Sequence, residues 1–245
     1  MNVYIILVLV ILIFSLYKNY IENFNTKDIK FLHIPKTAGT YIKANYNIKR
    51  YSHTQSYPTL STINIACIRN PYNRLKSIFA HIKDRDEYKN RLRSYDLLNF
   101  KNLDDLAKAY YNKKHIFHNK AKDLLKWNRK KFRLYKQLKI GTGCSVNEKI
   151  KACIHWAPQF YYIYGYDAKV NYLIKYENLD DDLLKLEELD ILKKKKNITS
   201  VSKQFMVSSK KHKELAYETP IVKRLVEDVY KKDIKLWKKA GLDKL

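Results

Sequence analysis

Two apolar runs, each cut short by a polar turn and followed by a helical stripe, organise the first third of the chain. Phe31-Leu32-His33-Ile34 reads as a buried strand that stops at Pro35, and a helical pattern begins near Thr40. Ile63 to Ile68 reads as a second buried strand, after which Asn70 suits a helix N-cap and Pro71 the first helical position. Leu75, Ile78, Phe79 and Ile82 then recur at i, i+3, i+4 and i+7. That stripe predicts a core-facing side and puts Arg74, Ser77 and His81 on the exposed side. From Asp84 to Gln137 the chain is highly charged with helical periodicity, and Leu97, Leu98, Leu103, Leu106, Leu124 and Leu125 supply its apolar positions. Several helices are expected there, as an insertion over residues 84–140. A strand over Val170–Tyr176 follows, with Asn178 or Asp180 placed to cap the next helix. Pro220 opens a late helix whose Val222, Leu225, Val226 and Val229 form one apolar face, and Tyr230 and Trp237 beyond it are expected to pack. Strands alternating with helices predict an α/β fold with a central parallel sheet flanked by helices.

The turns after the first two strands carry the chemistry. Pro35, Lys36, Thr37, Ala38, Gly39 and Thr40 link a strand end to a helix start, where backbone N–H groups and the helix dipole favour an anion and Lys36 adds a full positive charge. The lysine precedes the glycine by three residues, so this is not the Walker pattern, which ends Gly-Lys-Ser/Thr. At the second turn Arg69 ends the strand and Ser77 lies two turns into the helix, so both can converge on one anion.

Charge sharpens the picture. Lysine and arginine exceed the acids by 49 − 24 = 25, which favours a polyanionic partner or surface, although much of the lysine falls on helix faces where it only solvates. Lys193–Lys196 reads as such a solvated helix end. The Gly141–Ser145 stretch reads as a loop, and Cys144 and Cys153 are close enough in sequence to pair in an oxidising compartment. Cys67 falls in a buried strand, and no cysteine or histidine spacing suits a metal site. Val3 to Leu16 is almost wholly apolar and uncharged. It is shorter than the roughly 20 residues of a full span, yet no small-residue cleavage site follows it. Residues 1–20 are therefore expected to form an uncleaved N-terminal membrane anchor, contacting lipid through residues 3–17, with a short stem to 28 and one domain over 29–245.

HIPKTAGT at 33–40 and IRNPYNRLKS at 68–77 together resemble the 5′-phosphosulfate and 3′-phosphate segments of sulfotransferases that use 3′-phosphoadenosine 5′-phosphosulfate (PAPS), in the form found in Golgi-type carbohydrate sulfotransferases and their microbial and viral relatives. HWAPQ at 155–159, the ENL at 177–179 and the closing VYKKDIKLW at 229–237 are similar to further segments of that family. The resemblance implies a P-loop-like sheet, PAPS as donor without a metal, and a hydroxyl-bearing acceptor, with a carbohydrate (a glycan) as the expected one. It also implies a luminal domain, whereas Lys18, Lys27 and Lys30 behind the apolar segment weakly favour a cytoplasmic one. Lys36 is then the residue that stabilises charge at the bridging oxygen. Thr37 to Thr40 hold the 5′-phosphate, and Arg69 and Ser77 the 3′-phosphate. His53 lies between the motifs, where related enzymes often carry a base, and its ordinary pKa suits that role. Asp84 and Glu177 are weaker candidates for the base, while His33 and His155 fit packing or orienting roles.

Two other readings compete. Asp84-Arg85-Asp86 offers the D-x-D of a metal-dependent, nucleotide-sugar glycosyltransferase, but no apolar strand precedes it. A basic module binding polyanions at a membrane accounts for the charge and leaves both turns without a purpose. Nucleic acid is not the expected partner.

Overall fold

The computed structural model describes residues 12–15, 29–51, 62–89, 100–137, 144–145, 152–164, 170–195 and 218–242. Four strands, β1 (Ile29–Leu32), β2 (Lys49–Tyr51), β3 (Ile63–Ile68) and β6 (Tyr172–Lys175), form an all-parallel sheet in the order β2-β1-β3-β6. The registers Leu32↔Tyr51, Leu32↔Ala66 and Ala66↔Leu173 bring the C-terminal ends of the strands to one edge. Helix α1 (Gly39–Asn45) carries the chain from β1 to β2 on one side, and α2 (Pro71–Lys89) starts the path from β3 to β6 on the other. The crevice between β1 and β3 is thus a topological switch point, the place where open α/β sheets bind ligands.

Strand alternation explains the two-sided core. Leu32, Ala66, Ile68 and Leu173 face one layer, where they meet Phe132 and Tyr135 of α5 (Arg129–Gln137), Tyr162 and Ile163 of α6 (Gln159–Tyr164), and Leu236 of α9 (Lys231–Lys239). Phe31, Ile65, Cys67 and Ile174 face the other, against Ile42 of α1 and Leu179, Leu183 and Leu186 of α7 (Leu179–Glu188). Beyond the sheet, α3 (Leu103–Tyr111), α4 (His118–Leu125) and α8 (Pro220–Val229) pack on the apolar stripe of α2 around Trp156. Leu103, Leu106, Leu124 and Leu125 are fully buried there, while Leu97 and Leu98 lie outside the described residues.

Several local expectations change on contact with the structure. Arg74 is buried, not exposed, with 1% of its surface accessible. It precedes Ile78 by four residues and so lies along the same ridge of α2. The strand expected over Val170–Tyr176 shortens to Tyr172–Lys175, because Tyr176–Asn178 turn in a 3₁₀ helix. Asn178 is the N-cap of α7 but makes no side-chain cap bond; Asp182, within that helix, accepts from the Lys175 N–H instead, at 2.8 Å. Cys144–Ser145, expected as loop, forms the short strand β4, antiparallel to β5 (Ala152–Cys153) with Cys144 in register opposite Cys153. Of the lysine run, Lys193 and Lys194 pair with Asp190 and Glu187, and a backbone bridge joins Lys194 to Tyr46 just past α1. Of the expected anchor, only residues 12–15 are described, as helix with Leu12, Ile13 and Phe14 exposed. Among the described residues no helix is long and apolar enough to cross a membrane.

Asp233 of α9 caps α6, accepting the Gln159 and Phe160 N–H groups at 2.8 Å each. Burial pushes its carboxyl from 3.8 up to about 6, with Arg74 and the two N–H groups opposing the rise. Between those values the folded chain holds a proton that the unfolded chain has released, so this group's contribution to stability falls as pH rises from about 4 to about 6. On the order of 3 kcal/mol is at stake for a shift of that size. Urea midpoints across that window should decline more steeply in the wild type than in Asp233→Asn, and parallel curves would refute the assignment.

Candidate functional site

The switch-point edge gathers both turns identified in the sequence. After β1, Lys36 and Ala38 sit at φ 67° and 64°, in the left-handed region that non-glycine residues rarely enter. Thr37 between them is fully buried and donates its hydroxyl to the Ile34 carbonyl at 2.9 Å. Alternating backbone signs of this type turn successive N–H groups toward one side, which is an anion-binding concavity. Ala38 is the N-cap of α1 and offers no side-chain bond to the helix start. Lys36 and Thr40 are half-buried at the rim.

Gly39 is required by its neighbour. A Cβ there would stand 1.9 Å from His33 Cδ2 and 2.2 Å from His33 Nε2. His33 is buried and packs as the wall of the turn, so the glycine is a steric need rather than one of backbone freedom.

The second turn is gripped at its backbone. The Arg69 N–H donates to Gln159 Oε1 at 2.9 Å, and Gln159 Nε2 returns a bond to the Arg69 carbonyl at 2.8 Å. Glu177 accepts from the Asn70 N–H at 2.8 Å and from Trp237 Nε1 at 2.9 Å. Both its oxygens are therefore engaged in holding the turn, which argues against a role as base. Asn70 caps α2 as expected, taking the Tyr72 N–H at 3.0 Å. The Arg69 guanidinium lies 4.3 Å over the Tyr176 ring. Its Nε is buried without a hydrogen-bond partner among the described residues. Burial lowers its pKa from the usual value, and Tyr176 and Glu177 pull it back up. A desolvated cation with an unsatisfied N–H is stabilised by an incoming anion.

Arg74 joins the two turns. Its Nε donates to the Pro35 carbonyl at 3.0 Å, and one terminal nitrogen reaches the His155 and Ala157 carbonyls at 2.9 and 3.1 Å. One guanidinium from the second motif thus fixes the entrance of the first and the HWAPQ loop at once. Ser77 is half-buried one turn further along α2. His155 is buried, its ring 5.8 Å from that of His81. His53 lies outside the described residues; β2, which ends at Tyr51, stops at the same sheet edge. The Asp84-Arg85-Asp86 triplet falls inside α2 rather than at a strand end, and no cluster of three metal-ligating side chains occurs among the described residues.

Sequence reasoning missed Arg74, Gln159 and Tyr176 as parts of this site. The one available signal was the i, i+4 spacing of Arg74 and Ile78. The His33–Gly39 contact yields a test. Gly39→Ala should cost about 1–3 kcal/mol through overpacking. In a double-mutant cycle with His33→Ala the penalty should be largely relieved, since the clashing ring is gone. Additive losses in denaturant titrations would refute the contact.

A family model described as "Sulfotransferase family" matches residues 23–240. No curated protein and no solved structure matches the chain. The match takes in the cradle, the Arg69 turn, the HWAPQ loop and the closing helices, and the chain belongs to the sulfotransferase family.

Proposed function

We propose that this sulfotransferase-family chain takes its sulfuryl group from PAPS and delivers it to a hydroxyl on a carbohydrate. The observation that carries the reading is the pairing of two anion-binding corners across one switch point, tied together by Arg74. A donor phosphorylated at both ends of its adenosine needs two such corners, and the fit is good at each. The alternating backbone at Lys36 and Ala38 turns N–H groups to one side of the first turn, and the buried Arg69 Nε has a hydrogen bond still to give.

When bound, the donor supplies a phosphosulfate whose S–O bond breaks as the acceptor oxygen attacks in line. The chain's own residues divide the remaining work. Lys36 sets a cation where charge collects on the leaving phosphate, a preorganised electrostatic effect. The backbone of Thr37 to Thr40, with its hydroxyls, holds the 5′-phosphate. Arg69 and Ser77 hold the 3′-phosphate, which separates this donor from ATP. His53, two residues past the end of β2, accepts the acceptor's proton. Arg74 touches none of the reacting atoms in this scheme and acts by holding Pro35.

Residues 1–20 in this reading anchor the chain in a membrane with the catalytic domain luminal. The cross-strand register of Cys144 and Cys153 is compatible with an oxidising lumen. Glycosylation at Asn197-Ile198-Thr199, detected as an endoglycosidase-sensitive mass shift, would support that orientation, and protection of the domain from externally added protease on sealed microsomes is expected. Digestion of the domain in sealed microsomes would overturn it.

Calorimetry should give tight binding of adenosine 3′,5′-bisphosphate and much weaker binding of AMP. Lys36→Ala should lower turnover by roughly 10²–10³-fold, the scale of losing one preorganised electrostatic contact. Arg69→Ala should raise the bisphosphate dissociation constant by roughly tenfold or more. Wild-type rates for both variants at limiting PAPS would remove the site assignment. His53→Ala should depress turnover in radiolabelled sulfate transfer with bisphosphate affinity intact, and unchanged turnover would exclude it as the base.

A further inference from the structure

A second concave site lies one helix away from the donor corner. Its volume is about 510 Å³, and Arg129, Phe160, Tyr161, Tyr164 and Lys232 line it. Three of the five come from α6, whose first residue Gln159 is bonded twice to the Arg69 backbone. A six-residue helix is only about 9 Å long, so the pocket is rigidly coupled to the donor turn without being part of it. The walls are ring surfaces. Phe160 meets Tyr164 at 4.9 Å between centroids and Tyr161 at 5.8 Å, and Tyr161 is fixed by its hydroxyl bond to the Trp127 carbonyl. Lys232 holds its ammonium 4.8 Å from the centre of the Phe160 ring, and Arg129 stands at the start of α5. Among the described residues no acidic side chain lines the pocket.

We propose that this pocket binds an anionic sugar unit of a glycan chain, sulfated or carboxylated, outside the reaction centre. The proposal rests on the reading of the chain as a carbohydrate sulfotransferase and narrows the acceptor to acidic glycans. Ring faces suit the C–H face of a pyranose, and the two cations suit its sulfate or carboxylate. A chain with 25 excess positive charges draws a polyanion toward such a pocket from a distance. A single concavity accommodates one or two rings, whereas a single-stranded nucleic acid needs a groove that tracks several phosphates. Engagement here would hold one end of an acceptor chain while another unit meets Lys36, raising the local concentration of the reacting hydroxyl.

The test uses the full chain and three probes: a defined sulfated hexasaccharide that carries no carboxylate, its neutral desulfated counterpart and a short oligothymidylate. Affinities are compared among wild type, Lys232→Gln, Lys232→Arg and Tyr164→Ala. Tyr164 is 53% exposed and Lys232 is also exposed, so none of these changes threatens the fold. The sulfated probe should bind at least tenfold more tightly than the desulfated one. Lys232→Gln and Tyr164→Ala should each weaken it roughly tenfold, the scale of one charge-assisted bond or one stacking contact, and Lys232→Arg should restore it. Equal affinity for the desulfated probe, unchanged affinity in both loss variants, or loss confined to the oligothymidylate would overturn the proposal. Adenosine 3′,5′-bisphosphate binding, measured alongside, reports the donor reading separately. Its failure with the pocket intact sinks that reading alone, and its persistence in all three variants marks the pocket as distinct from the donor cleft.

Discussion

The guanidinium of Arg74 is the constraint on which the site depends. It takes a charge into a nearly water-free position and surrounds it with the carbonyls of Pro35, His155 and Ala157. Three segments from different parts of the chain therefore have one geometry relative to one another. A buried cation is costly unless fully hydrogen-bonded, and removing it strands the carbonyls it served. The planar fork matters as much as the charge: a lysine offers a point donor on a flexible stem and cannot span the same three acceptors in one plane.

Everything around the two turns continues that logic. Gln159 and Glu177 spend their side chains on backbone groups of residues 69 and 70, so Arg69 projects from a turn that is held on both sides. Asp233 in turn holds the start of α6, the helix that delivers Gln159. The same short helix presents Phe160 and Tyr164 to the second pocket, which links that pocket to the Arg69 turn through rigid secondary structure rather than through a loop. The sheet supplies the frame, because Phe31 and Leu32 face opposite layers and fix β1 against slippage by even one residue.

Local features of this arrangement were legible in the sequence and distant ones were not. The strand–turn–helix at 31–40, the Asn70–Pro71 helix start and the stripe on α2 announce themselves because their physics is decided within about ten residues. The Thr219–Pro220 start of α8 belongs with them, its threonine capping the Val222 N–H as the proline position implies. The clamps are different. Arg74 meets Pro35 across 39 positions and His155 across 81, Arg69 meets Gln159 across 90, and Asn70 meets Glu177 across 107. Polar side chains at those spacings look like surface residues until the fold brings their partners to them. Asn178 takes the N-cap position of α7 without bonding the helix start, and Asp182 ties the helix back to the strand-end Lys175 N–H across the 3₁₀ turn, a contact that the linear pattern does not announce.

The left-handed backbone at Lys36 has an evolutionary consequence. A lysine in that conformation gives up about 1 kcal/mol relative to glycine, which enters it without steric cost. Selection for folding robustness alone would therefore drift position 36 toward glycine, and a directed-evolution campaign rewarding only thermal tolerance would find that substitution early. In the role proposed for Lys36 at the leaving phosphate, a lineage that keeps the ammonium there does so against the preference of its own backbone, and its persistence in any heat-hardened library would be a direct reading of how strongly turnover, rather than endurance, is under selection.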